Sequence, residues 1–384
     1  MYYHFFKKRL FAAVITACIG CGLNFTVEPL PSANAAGWGN LIGAGVQYVQ
    51  LNKEIKYYNN DGREEFFEQL KSKYGVNEDN ALNERLAGVM SRLSGSIAAS
   101  DPSISSKPYN YFINPDTTFN AFCSLGHNMS VNTGLFSLLS NTDEIAVVIA
   151  HEMGHGQKDH PAKSMGKSMP YELIAQIYAN SQNSSTGNAT ASIFANYATA
   201  TQVTKPQEWE ADNLAFDYIT GAGYNPGACA AVWQRVIEKQ GESSTNFVGE
   251  IFSPSDHPSN QDRRSNYEKK LNEYSNKVVS VSNGTIKIRN QVFMTVGDTD
   301  GMSGKERAYF IAGNLAAVYH NNAAAASAYV SDSGLLMLGN QPIMTPQACD
   351  PGAEELAAQL NKIKTGSIIN VGVSESLPQH YFFA

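Results

Sequence analysis

The sequence predicts an α+β fold that is mainly helical with a small β-sheet, followed by a small C-terminal α+β domain. Apolar residues recur at helical spacing through most of the first two thirds of the chain. Two short runs, 109–113 and 127–132, are β-prone and predict strands. Beyond Lys277, β-prone runs such as 285–288 and 292–296 alternate with helical segments. This change in sequence pattern at Lys277 predicts a domain boundary there.

Turn and capping residues set the boundaries of the first helices. The first helix is predicted over 38–58, and Asp61-Gly62 ends it. A second helix over 64–74 ends at Gly75. The remaining helices, apart from the one that carries the motif described below, are predicted at 81–97, 207–219, 228–239, 263–276, 305–320 and 353–364.

The first 35 residues have the pattern of a secretory signal peptide. A basic segment at 7–9 precedes an apolar run over 10–23, which is too short to span a bilayer comfortably. Ala33 and Ala35 form an A-x-A cleavage site. We therefore expect an exported protein, periplasmic or extracellular in a bacterium. The alternatives are an N-terminal membrane anchor and a lipoprotein attached through Cys18, in a segment that resembles a lipobox.

Composition excludes several classes of protein. The 384 residues carry a formal net charge of −7 and contain no basic stripe, so nucleic acid is not an expected partner. Signal-peptide cleavage leaves three cysteines, Cys123, Cys229 and Cys349. Their wide spacing matches neither a disulfide framework nor a zinc ribbon.

The sequence His151-Glu152-Met153-Gly154-His155 is the motif that carries chemistry. It lies on a predicted helix that Asn141 caps. Residues i and i+4 of a helix share one face, so both imidazoles can bind one zinc ion. Glu152 then lies beside the metal and can accept a proton from bound water.

A catalytic zinc site needs a third protein ligand. His160 follows the motif, but its spacing does not fit the metzincin pattern, and the better candidate is Glu208. Asp212 lies four residues after Glu208 on a predicted helix and can accept the outer N–H of a ligand histidine. Glu210 lies on another face of that helix and is predicted to be a solvated surface charge.

Several stretches resemble, in order, those of one enzyme family. They are Asn120-Ala121-Phe122, 131–135, 143–155 with His160, 208–212, 223–226, and Asp256-His257-Pro258 with Arg263. Together they resemble the gluzincin zinc metallopeptidases of the HtpX, BepA and CAAX-prenyl-protease type. The resemblance covers about residues 76–275 and implies one zinc ion per chain. It also places His257 near the metal as a gating fourth ligand or an oxyanion donor, and a purely structural histidine remains the alternative.

The resulting prediction is a zinc endopeptidase in which Glu152 is the general base. Extended substrate would pair with an edge strand at 127–132 by backbone hydrogen bonds, which depend little on the amino-acid sequence of the substrate. Unfolded or extended polypeptides of the cell envelope are the expected substrates, in protein quality control. The alternatives are a protease-fold holdase or adaptor with a plugged zinc site, and a non-catalytic envelope scaffold.

Four segments follow from these observations. They are a signal peptide at 1–35, an N-terminal helical segment at 36–75, a zinc metallopeptidase domain at 76–276, and a C-terminal α+β domain at 277–384. The last segment is expected to bind a partner, such as an envelope protein, rather than to catalyse. Its runs 290–295 and 340–345 are similar, which indicates either a duplicated ββα unit or a coincidence.

Overall fold

The computed structural model describes residues 38–182, 187–197, 203–240 and 258–375. The signal-peptide and lipobox predictions and His257 therefore lie outside the described residues. The chain divides into two units, 1–46 and 47–384, and the first of these is described only for the opening turns of one helix. No helix in the described ranges is long and apolar enough to cross a membrane.

The described residues form the mainly helical α+β fold that the sequence predicts. The helices are α1 Trp38–Asn59, α2 Arg63–Tyr74, α3 Asn80–Ser100, α4 Thr133–Leu138, α5 Thr142–Gln157, α6 His160–Ser168, α7 Tyr171–Ser181, α8 Gly187–Tyr197, α9 Lys205–Gly221, α10 Ala228–Gln240, α11 Asn260–Tyr274, α12 Gly304–His320 and α13 Ala353–Glu375. The strands are β1 Asn110–Asn114, β2 Ala121–Ser124, β3 Asn128–Asn132, β4 Val279–Ser282, β5 Thr285–Ile288, β6 Gln291–Thr295, β7 Ala328–Val330, β8 Leu336–Leu338 and β9 Gln341–Met344.

Helix α5 lies at the centre of the first core. It packs against α9, α3, α10 and strand β2. The side chains of Ile145, Ile149 and Met153 are completely buried. The helix is therefore held on several sides, which fixes the direction of any functional side chain at its C-terminal end.

The first sheet has the order β1-β3-β2, with β3 parallel to β1 and antiparallel to β2. All five residues of β3 are buried. The prediction of an edge strand at 127–132 is therefore wrong, because β3 is hydrogen-bonded on both sides. The edge next to α5 belongs to β2, a strand that the sequence pattern did not separate from its surroundings.

The C-terminal region contains two similar units. Each is an antiparallel three-stranded sheet followed by a helix: β4-β5-β6 with α12, and β7-β8-β9 with α13. A register shift occurs at the equivalent place in each central strand, between Ile286 and Lys287 and between Leu336 and Met337. This agreement favours a duplication over a coincidence, with three strands per unit instead of two.

The two units share one hydrophobic core and also contact the first core. Helix α12 packs against β9 of the second unit, while α13 packs against β6 of the first. Tyr309 of α12 belongs to the first core, and α12 packs against α10. The domain boundary at residue 277 stays a prediction, and across it the chain makes extensive contacts.

Candidate metal centre

The zinc-binding motif lies on the last turns of α5, where α5 meets α9. Asn141 caps the helix and accepts a hydrogen bond from the Asp143 amide, as its position in the sequence predicts. Gly154 permits a close approach, since a Cβ atom there would lie 3.2 Å from the Ala211 backbone of α9. The motif's glycine thus lets the two helices bring their functional side chains together.

Three predicted ligands, His151, His155 and Glu208, converge at this contact. The two Nε2 atoms lie 3.0 Å apart, and Glu208 oxygens lie 3.3 Å from His155 Nε2 and 3.5 Å from His151 Nε2. Two ligands of a tetrahedral zinc ion with bonds of about 2.0–2.2 Å lie about 3.3–3.6 Å apart. All three side chains are buried. The donor set and its spacing therefore fit zinc.

Asp212 lies where the sequence places it, behind His151. Its Oδ1 is 3.0 Å from His151 Nδ1, so it can accept the outer N–H and fix the tautomer that leaves Nε2 for a metal. Arg263 of α11 and the Tyr267 hydroxyl both donate to Asp212. Burial raises the pKa of Asp212, but the charges of and hydrogen bonds from Arg263 and His151 together outweigh it, so the pKa is lowered overall.

The sequence indicates Arg263 only through the family resemblance, and the structure gives this side chain a role. It is almost completely buried, stacks 3.8 Å from the ring of Trp233, and forms an ion pair with Asp212. Removing one partner of a buried ion pair leaves an uncompensated charge. Arg263 thus holds Asp212, and through it His151, in place.

Glu152 is buried beside the ligands, and a strand of the first sheet contacts its carboxylate. Its Oε2 accepts a hydrogen bond of 3.0 Å from the amide of Cys123 in β2. Burial raises the pKa of the Glu152 carboxyl above its usual value, although the nearby histidines act in the opposite direction. A carboxylate with a raised pKa is a stronger base, as a general base requires.

Sequence reasoning did not predict that His160 and Glu210 lie next to the zinc ligands. His160 lies outside the group of ligand atoms, but its Nδ1 is 2.9 Å from His155 Nδ1. Its Nε2 is 3.1 Å from Glu210 Oε2, so Glu210 is more than a solvated surface charge. Burial lowers the pKa of His160 to about 4, which keeps the ring neutral.

Comparisons with known proteins agree with this geometry. The profile of peptidase family M48 matches residues 80–270. The metalloprotease LoiP of Escherichia coli is 26% identical over 164 residues, which cover 42% of this chain and 62% of LoiP. The mitochondrial metalloendopeptidase OMA1 of Arabidopsis thaliana is 27% identical over 144 residues, 38% of this chain and 28% of the relative.

The β-barrel assembly-enhancing protease of Escherichia coli is a third relative, 23% identical over 145 residues that cover 36% of this chain and 30% of the relative. The chain thus spans less than two thirds of the length of each of these proteins. The matched region nevertheless contains every side chain of the site described above. Through residues 80–270, the chain belongs to peptidase family M48, a family of zinc metallopeptidases.

Proposed function

We infer that this protein is a zinc-dependent endopeptidase that cleaves unfolded or extended polypeptides in the cell envelope, in protein quality control. The observation that carries the inference is the buried group of three ligand atoms beside Glu152, next to a sheet edge. The relatives, which include a metalloprotease and a metalloendopeptidase, support peptide hydrolysis. Export is supported by the signal-peptide pattern at 1–35.

The residues divide the chemistry between them. Zinc held by His151, His155 and Glu208 would polarise the scissile carbonyl and lower the pKa of the attacking water. Glu152 accepts the proton of that water and then donates it to the leaving amine. Cys123 orients Glu152 through the backbone hydrogen bond, so the base is positioned before substrate arrives.

Strand β2 supports the proposed mode of substrate binding. Asn120 accepts a hydrogen bond from Asn132, so by the alternation of an antiparallel pair Phe122 and Ser124 also face β3. The backbone groups of Ala121 and Cys123 therefore face away from the sheet, and the Cys123 amide indeed meets Glu152. With the Cys123 amide bound to Glu152, we propose that an extended peptide pairs with the backbone groups of Ala121, which replaces the edge first predicted at 127–132.

Casein digestion by residues 36–384 tests the proposal. Wild-type protein should cleave casein, and a chelator should abolish cleavage. Glu152→Gln should retain zinc but lose at least about 10²-fold in turnover, since it removes the general base. Glu84→Gln, on the exposed side of α3, is a matched control that should behave as wild type.

The outcomes separate the proposal from its alternatives. Equal turnover in Glu152→Gln and wild type would exclude this mechanism. Zinc binding without cleavage, together with suppression of aggregation of an unfolded protein, would favour the holdase. Failure to bind zinc would favour the scaffold.

His257 lies outside the described residues, so its role remains a proposal from the resemblance. If it restrains the site as a fourth ligand, His257→Ala should raise the basal kcat on a short unstructured peptide. If it is an oxyanion donor, the same variant should lower kcat by about 10²–10³-fold. If it is structural, only the melting temperature should fall.

The segment 277–384 remains, in this proposal, a binding domain for an envelope protein. Within the described ranges it contributes no residue to a group able to hold a metal ion. Its contacts with the peptidase region are made by α12 with α10 and α11, and by β4 with α11, and one of them is the ion pair of Arg235 with Glu306 near the start of α5.

A further inference from the structure

The orientation of His155 determines where its proton must be. Its Nε2 faces the other ligand atoms, 3.0 Å from His151 Nε2 and 3.3 Å from Glu208 Oε1. A neutral imidazole binds a metal through the nitrogen that carries no proton. When Nε2 is the ligand atom, Nδ1 of His155 therefore carries the hydrogen and is a donor.

His160 is placed to accept that hydrogen. Its Nδ1 lies 2.9 Å from His155 Nδ1, so His160 must carry its own proton on Nε2. That Nε2 lies 3.1 Å from Glu210 Oε2, which accepts. One arrangement of hydrogens thus satisfies every group from the metal-facing nitrogen out to the carboxylate.

The backbone holds His160 in this position. Asp159 adopts a left-handed conformation with φ 50°, which turns the chain sharply between α5 and α6. The Asp159 carboxylate is anchored by Asn59 at 3.0 Å and Lys107 at 3.2 Å. Because non-glycine residues seldom adopt this conformation, the anchored turn indicates that the placement of His160 is specified.

We propose that His160 and Glu210 are positioning residues for the zinc ligand His155: they fix its tautomer and ring orientation and thereby strengthen zinc binding. The inference rests on the zinc site and deepens the proposed function. His151 receives the corresponding support directly from Asp212. His155 receives it through a buried imidazole, whose carboxylate partner is about half exposed.

Zinc affinity, measured by competition with a chromogenic chelator, tests the proposal on the full mature chain. His160→Phe keeps an aromatic ring but removes the acceptor, and it should weaken zinc binding by about 10–100-fold. His160→Asn places an amide oxygen near the position of Nδ1 and should recover most of that loss. Glu210→Ala, at a half-exposed position, should fold normally and weaken binding by about 2–10-fold.

His127→Phe is the matched control. His127 is also buried and contacts the Gly156 carbonyl of α5, but it lies outside the ligand group. Its replacement should lower the melting temperature without changing zinc affinity. If His160→Phe also changes only the melting temperature, or if the Asn and Phe variants lose affinity equally, the proposal is wrong.

Nitrogen-15 NMR of histidine-labelled, zinc-loaded protein gives a second readout that a packing role would not produce. The expected spectrum assigns an Nδ1–H tautomer to His155 and an Nε2–H tautomer to His160. A proton on Nδ1 of His160 would overturn the proposal. Both measurements are independent of peptide cleavage, so they remain decisive if the endopeptidase proposal itself fails.

Discussion

The two ends of helix α5 hold buried clusters of charge that are neutralised in different ways. At its C-terminal end, the buried carboxylates of Glu208 and Asp212 contact one cation, Arg263, and a third buried carboxylate, Glu152, lies beside the ligand histidines. At its N-terminal end, Glu144 and Glu306 share one cation, Arg235. Three carboxylates against one guanidinium leave two negative charges, and two against one leave a single negative charge.

Geometry decides which cation removes the excess charge. In the first cluster, two imidazole nitrogens and a carboxylate converge at 3.0–3.5 Å, which suits a divalent metal ion. In the second, no imidazole approaches the carboxyl groups among the described contacts, and both groups contact Arg235. Burial then favours a shared proton, and it raises the pKa of Glu306 to about 8. A buried excess of negative charge thus predicts a bound cation, and the donor types predict which one.

Truncation after residue 276 should disturb the folded state more than any other change. It removes Glu306 of the second cluster but keeps every described residue of the zinc site. It also removes Tyr309 from the first core and the helix that packs against α10. We expect the fragment 36–276 to aggregate on size-exclusion chromatography. A soluble fragment with full zinc content would instead show that the peptidase region folds alone, as the change in sequence pattern at Lys277 predicts.

Arg235→Met should have the next largest effect, since it leaves two buried carboxyl groups with no positive partner. Breaking a buried ion pair destabilises a protein by about 3–5 kcal/mol. Denaturant unfolding should report that loss, while zinc affinity stays unchanged. Adding Glu144→Gln and Glu306→Gln to the same chain should recover most of the stability. If the triple variant is no more stable than Arg235→Met, packing and not charge explains the loss.

Zinc removal is the corresponding test of the first cluster. A ligand present at 100 times its Kd stabilises the folded state by about 2.7 kcal/mol. A chelator should therefore lower the free energy of unfolding of the wild type by about that amount and abolish cleavage. His155→Ala should show no further loss on chelation. If His155→Ala retains full metal content by elemental analysis, the assigned ligand set is wrong.

Local sequence patterns were enough to propose the candidate ligands, because helix geometry sets the spacing within each pair of residues. His151 and His155, and likewise Glu208 and Asp212, are separated by one turn, and each pair lies on one face of one helix. Glu152 could also be proposed from the local sequence, because it lies within the motif.

The parts that could not be predicted depend on tertiary contacts. Strand β3 has the composition of an ordinary strand, and only its two neighbours make it central. The contact of His160 with His155 depends on the left-handed turn at Asp159. The second charge cluster joins three helices, so neither Glu144 nor Glu306 is conspicuous in the sequence.

The pH dependence of stability should show the shared proton directly, as the smallest of these effects. The groups that face Glu306 are Glu144 and Arg235, and Asp143 adds to the negative charge near Glu144. Burial is the main cause of the raised pKa of Glu306, and the Glu144 charge adds to it. The folded state therefore keeps a proton that the unfolded chain releases above its ordinary pKa of about 4.3.

The sign of the effect follows from this difference in proton binding. The stabilisation is complete below the unfolded pKa and is lost as pH rises through the folded pKa of about 8. Between pH 5 and 7.5, the wild type should lose up to about 1.4 kcal/mol of unfolding free energy per pH unit relative to Glu306→Gln. Glu355→Gln, an exposed glutamate on α13, is the control and should parallel the wild type. Parallel pH profiles for Glu306→Gln and the wild type would show that the second cluster carries no shared proton, and the contrast between the two ends of α5 would not hold.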